Sequence, residues 1–180
     1  MIRRALVAAV LLALAANASA QTGSAPLILR LPAGARSMAL GDAYVTGSGA
    51  EELFYNPARL SSGMGSMIAL GAYGSNGKIG TLGTTLAVAG NFTAGFGARY
   101  LDYQAQSGAP GEPGDLTAPG TVQSTSLAAT FGLQHNVLGF QMGGSVTYVA
   151  EHRPDARNGA ATWTVGLTQN VGVFTMALVA

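Results

Sequence analysis

The sequence predicts an all-β fold: an antiparallel transmembrane β-barrel, represented by about seven strands, behind a short N-terminal helical plug or hatch segment. Three observations predict it. Charged residues are 9 per cent of the 180-residue chain, whereas soluble domains carry about 25 per cent. After residue 64, seven segments alternate apolar with small or polar residues, the period of a strand with two unlike faces. The breaks between those segments alternate between short and long, like the turns and loops of outer-membrane barrels.

The first element is an export signal. Arg3 and Arg4 precede an unbroken apolar run, Ala5–Ala16, and Ala18-Ser19-Ala20 has the small-x-small form of a signal-peptidase site. The run is too short for a membrane anchor, which needs roughly 20 apolar residues. Three regions follow from this: a signal peptide over 1–20, a plug or hatch over 21–63 and an incomplete barrel over 64–180. Without Arg3 and Arg4 the nine basic residues become seven against eight acidic, so no nucleic-acid partner is expected. The chain has no Cys, which excludes disulfides, thiol catalysis and thiolate metal sites. No long apolar run follows the signal. Of the two structures a bilayer permits, the closed barrel is therefore the one left.

Residues 21–63 do not alternate. Ala35, Met38, Ala39 and Ala43 have helical spacing that Gly41 interrupts. Gly47 and Gly49 then break the chain. Ser48 is a candidate N-cap for a short helix through Phe54, with Glu51 and Glu52 in its first turn, where negative charge suits the helix dipole. Asn56 must leave the α region because Pro57 follows it, so Asn56-Pro57 reads as a helix stop leading into the first strand.

The strands are expected at 66–73, 79–89, 92–103, 123–134, 138–150, 160–169 and 172–180, the first and last being the weakest. The apolar face carries residues such as Leu82, Leu86, Phe96, Tyr100, Leu127, Phe131, Leu133, Met142, Val146, Tyr148, Trp163 and Val165. The other face, which a barrel turns to its lumen, carries Gly, Thr, Ser and Gln141, with Arg99 among them. Breaks at 90–91, 135–137 and 170–171 read as periplasmic turns. Those at 74–77, 104–122 and 151–159 read as outer loops. Tyr73, Tyr100, Tyr148 and Trp163 fall near the outer strand ends, and Phe92 and Phe140 near the inner ones. This suits two interfacial aromatic girdles, although aromatics also favour strands in general.

The stretch "LRLPAGARSMALGDAYVTGSGAEELFYNPARL" resembles the N-terminal signature of the PorV/PorQ group of outer-membrane proteins, within the superfamily of the long-chain fatty acid transporter FadL. Gly34, Ala35, Arg36, Leu40, Gly41, Ala43, Asn56, Pro57, Ala58 and Leu60 carry the resemblance. Asp42, where Gly is common, and Gly47–Gly49 depart from it. The resemblance implies a fourteen-stranded barrel with its N-terminal segment tucked into the lumen. Arg36, Gly41, Asn56, Pro57 and Ala58 are then hatch or hinge candidates. Arg36 and Glu51/Glu52 are expected either to meet lumen groups such as Arg99 and Gln141 or to be solvated at the periplasmic mouth.

No catalytic, cofactor or metal-binding set is expected. His135 reads as part of a turn and His152 as part of an outer loop, and no hydroxyl nucleophile or Gly-rich phosphate loop can be placed beside them. Three functions fit: passage of hydrophobic small molecules across the outer membrane, a platform for cargo proteins of type IX secretion, or a purely structural barrel. Expected partners are outer-membrane lipid, the barrel assembly machinery, and either hydrophobic compounds or secreted cargo. The small, polar lumen face weighs against a greasy channel. The Pro/Gly-rich 104–122 loop could dock a partner, but reads more simply as a flexible surface loop. Seven strands are odd and below the minimum of eight, so the chain is expected to be part of a protein about twice its length, or to close by self-association.

Overall fold

A computed structural model describes residues 26–73, 77–106, 121–153, 157–171 and 174–180. The expected signal peptide and most of the 104–122 loop lie outside the described residues. Seven antiparallel strands form one sheet in simple sequence order: β1 (Gly65–Tyr73), β2 (Gly77–Ala87), β3 (Phe92–Gln106), β4 (Thr121–Val137), β5 (Phe140–His152), β6 (Arg157–Val171) and β7 (Phe174–Val179). The sheet is curled into a half-barrel. The curl has a visible correlate. A short 3-10 helix, Pro57–Ser62, touches each of β2 through β6. Those five strands, laid flat, would span about 19 Å, while six residues of 3-10 helix reach only about 12 Å.

Every cross-strand pair joins residues of one face, and the faces are the expected ones. One row runs Phe96, Phe131, Val146, Trp163, and each of these side chains is exposed on the convex side. The row beside it runs Gly95, Gly132, Ser145, Thr164 on the concave side. Strands β3, β4, β5 and β6 outrun their expected bounds at the end carrying the long connections.

Several expectations need correction. Face-matching places the β4–β5 turn at Leu138–Gly139, not at 135–137. A three-residue turn there would pair concave Gln134 with convex Leu138, whereas Val137 opposite Phe140 keeps both strands in phase. His135 therefore lies within β4, between Phe92 and Met142, with its ring stacked on Phe92 at 4.0 Å. His152 is the last residue of β5 rather than part of a loop. Tyr73 does not join an outer girdle. It packs on the concave side against a cluster of Ile28, Ile79, Leu101, Ala128 and Val149. Tyr100, Tyr148 and Trp163 are exposed on the convex side as expected.

Residues 26–63 contain two short helices, α1 (Leu27–Arg30) and α2 (Ala35–Ala39), and two 3-10 helices, Ala50–Phe54 and Pro57–Ser62. The helix expected through Phe54 is present in its 3-10 form, and its N-cap is Gly49 rather than Ser48. Gly41 ends α2 with φ +61°, and Asp42 follows at φ +67°. Asp is one of the few L residues that visits this region, so the departure from Gly at 42 is tolerated.

Candidate functional site

The site is the contact between residues 26–63 and the concave face. Its floor is glycine. Three cross-strand pairs, Gly83–Gly97, Gly95–Gly132 and Gly143–Gly166, step across β2 to β6. A methyl group on Gly97 would stand 2.6 Å from the Phe54 ring, and one on Gly95 or Gly132 would stand 2.8 Å from the Leu53 side chain. On Gly143 it would overlap the carbonyl group of Pro57, and on Gly166 the side-chain oxygen of Asn56. The pairs are thus a negative of the segment. Leu53 and Leu60 are 1 % and 0 % exposed because strand backbone, not side chain, lies beneath them.

Asn56 holds the segment to the wall. Fully buried, it donates from Nδ2 to the Val45 carbonyl (2.8 Å) and to Thr168 Oγ1 (3.2 Å). Its Oδ1 accepts from the Ala58 N–H (3.1 Å), capping a helix that has Pro57 at its first position. Its backbone is extended, as a residue before proline must be. Asn56 therefore starts a helix as well as stopping one. Pro57 and Ala58 are buried against Gly143 and Gly166. Gln141 pairs with Thr168 in register, which brings it to the same corner.

Arg99 lies elsewhere, toward the long-connection end, and is 4 % exposed. Its guanidinium donates to the carbonyls of Leu31 and Pro32 and lies 5.8 Å from the centre of the Phe54 ring. Of the two alternatives for Arg36, Glu51 and Glu52, the meeting with Arg99 and Gln141 does not occur, and of the three only Arg36 is exposed to solvent. Arg36 donates to Tyr44 Oη (3.2 Å) and the Ser48 carbonyl (3.1 Å) within its own segment. Glu51 accepts from the Ser37 N–H at 3.2 Å. The carbonyls that follow the one-turn helix α1 take the Nη2 donors of Arg99, while its buried Nε has no partner among the described residues.

Glu52 was legible as a first-turn acid but not for its burial. It is 0 % exposed, and neither carboxylate oxygen has a hydrogen-bond partner among the described residues. Burial pushes its carboxyl up to about 8, against the opposing pull of Arg59. Tyr55 is also missed by sequence reasoning. Its hydroxyl donates to Asp42 (2.6 Å), accepts from the Ala33 N–H (2.8 Å) and is pushed up to about 12 by burial and by Asp42.

Beside this contact a cavity of about 510 Å³, open to the outside at the edge strand β1, lies between the segment and β1–β2. Met38, Met67, Ala69, Tyr73 and Ile79 give it an apolar lining, and Glu51 and Thr81 add polar atoms. Comparison of the chain with protein-family models, with curated proteins and with solved structures finds no match.

Proposed function

We propose that the chain is an outer-membrane β-barrel protein of the FadL-like superfamily, of the PorV/PorQ kind, through which small hydrophobic molecules pass under control of its N-terminal plug. The observation that carries this reading is the cavity between the segment and the first two strands. At about 510 Å³ it has the size and largely apolar lining of small-ligand pockets. The polar mid-wall, which weighed against a greasy path, is covered by the segment. The apolar surface comes from Met38, Met67 and Ile79 instead. The exposed row of large side chains on the convex face supports lipid as its solvent.

In cells expressing the intact protein, Ala69→Trp should fill the cavity and lower uptake of a hydrophobic probe, while Asn56→Ala should alter uptake or conductance by loosening the plug. Secreted cargo captured at the outer loops, without any probe flux, would replace this reading with the secretion platform. Normal folding with unchanged uptake in both variants would remove the gating role.

A further inference from the structure

The β4–β5 turn has the wrong residue for its shape. Two-residue hairpin turns with positive φ at both central positions call for Asn, Asp or Gly at the first. Here that position is Leu138, at φ +50°, followed by Gly139 at +85°. A bulky side chain rarely adopts this conformation. Its side chain, 95 % exposed, makes up for none of the strain through packing. Asn136, two residues earlier, would suit the turn, but face-matching puts it inside β4. Neither local propensity nor packing within the chain accounts for a leucine at this tip.

The convex face supplies the context. Its row Phe92, His135, Met142, Leu167, Leu178, apolar but for His135, is followed by a last row of Val137, Phe140, Gln169 and Met176, apolar but for Gln169. The apolar surface therefore continues to the turn itself. Leu127 and Val137, ten residues apart on β4, are separated by roughly 26 Å along a barrel axis at ordinary strand tilt, close to the ~25 Å apolar band of such barrels. Leu138 stands at the edge of that band, on the side of the short turns.

We propose that Leu138 is a lipid anchor: a strained turn residue that dips into the headgroup–acyl boundary of the inner leaflet and sets how deep the β4–β5 hairpin sits. This rests on the membrane reading above. Continuity with the convex band favours lipid over a soluble partner protein.

The intact chain, refolded into phosphatidylcholine vesicles with Trp163→Phe as background, gives the test. Leu138→Trp and, separately, Phe131→Trp are read against lipids brominated at shallow or deep acyl positions. The anchor predicts that both tryptophans are quenched, Trp at 138 more by the shallow bromines and Trp at 131 more by the deep ones. Quenching at 131 but not at 138 overturns the anchor and leaves the membrane reading standing. Quenching at neither position overturns both. A blue shift at 138 that requires periplasmic extract identifies a protein partner and overturns the anchor. Should the bulkier Trp prevent folding, Leu138→Cys carrying an environment-sensitive fluorophore gives the same readout, since residues 1–180 hold no cysteine of their own.

Discussion

The same seven strands present two faces that obtain their partners differently. On the convex face, Phe96, Tyr100, Phe131, Val146 and Trp163 are large and exposed, and the contact the Phe96 and Phe131 rings make at 5.1 Å stays within that face. On the concave face the corresponding positions shrink to Gly, Ser and Thr, and the bulk comes from Leu53, Phe54, Pro57 and Leu60 on a separate segment. Glycine in a strand ordinarily costs stability, through entropy and lost packing. Here it is the complement of side chains about 30 to 110 residues away in sequence. A small residue in a strand therefore carries information only when one knows what approaches it.

The contrast should break most visibly with pH, because the concave side holds the buried acid. Glu52 has a folded-state value of about 8 against an ordinary 4.5. The folded state thus holds the proton that the unfolded state releases between those values. Stability should fall as pH rises from about 4.5 to about 8, by up to about 1.4 kcal/mol per unit and several kcal/mol in total, then level off. Denaturant midpoints measured across this range should show the slope, and Glu52→Gln should flatten it. Arg59 pulls the other way and Glu51 adds to the shift, so Arg59→Gln should extend the fall to higher pH at the same limiting slope.

Two neighbouring glycines sharpen the comparison next. A methyl group on Gly143 meets the Pro57 backbone, whereas on Gly144, facing out, its nearest neighbour is the Thr164 carbonyl at 3.8 Å. Gly143→Ala should cost about 3 kcal/mol, at the upper end of overpacking, and Gly144→Ala less than about 0.5 kcal/mol. Chemical denaturation in detergent measures both. Equal costs would mean that the segment does not rest on this face.

Asn56→Ala should cost about 2 kcal/mol. It strips a cap and leaves the Val45 carbonyl and the Thr168 hydroxyl without this donor. The smallest effect is expected at Asp42. Replacing it with Gly relieves a positive φ but removes the bond from Tyr55, two changes of about 1 kcal/mol each with opposite sign. Stability should stay nearly constant while the Tyr55 hydroxyl titrates below its present value of about 12.

What the sequence made legible follows from this contrast. The strands and their convex rows follow from period two alone, because each outward side chain announces itself. Asn56-Pro57 reveals a backbone stop because proline constrains its predecessor locally. The Leu138 turn is hidden because Asn136 looks like a better turn residue, and only pairing with β5 excludes it. The partners of Arg99 are backbone carbonyls, which no side-chain pattern signals. The burial of Glu52 comes from the packing of the whole segment. The recurrence of Gly at 83, 95, 97, 132, 143 and 166, all on the inward parity, is the one trace of the seat in the strand sequence.

We propose that one face of this sheet rests on residues 26–63 while the other meets lipid. Single cysteines placed in turn at 126 to 133 of β4, in a stretch of 180 residues with no cysteine of its own, test it most directly. The protein is reconstituted in membranes and offered a water-soluble and a lipid-soluble maleimide. Positions 127, 129, 131 and 133 should react only with the lipid-soluble reagent, and 126, 128, 130 and 132 with neither. Labelling of 128 and 130 by the water-soluble reagent would show an open, water-lined concave face and contradict the account.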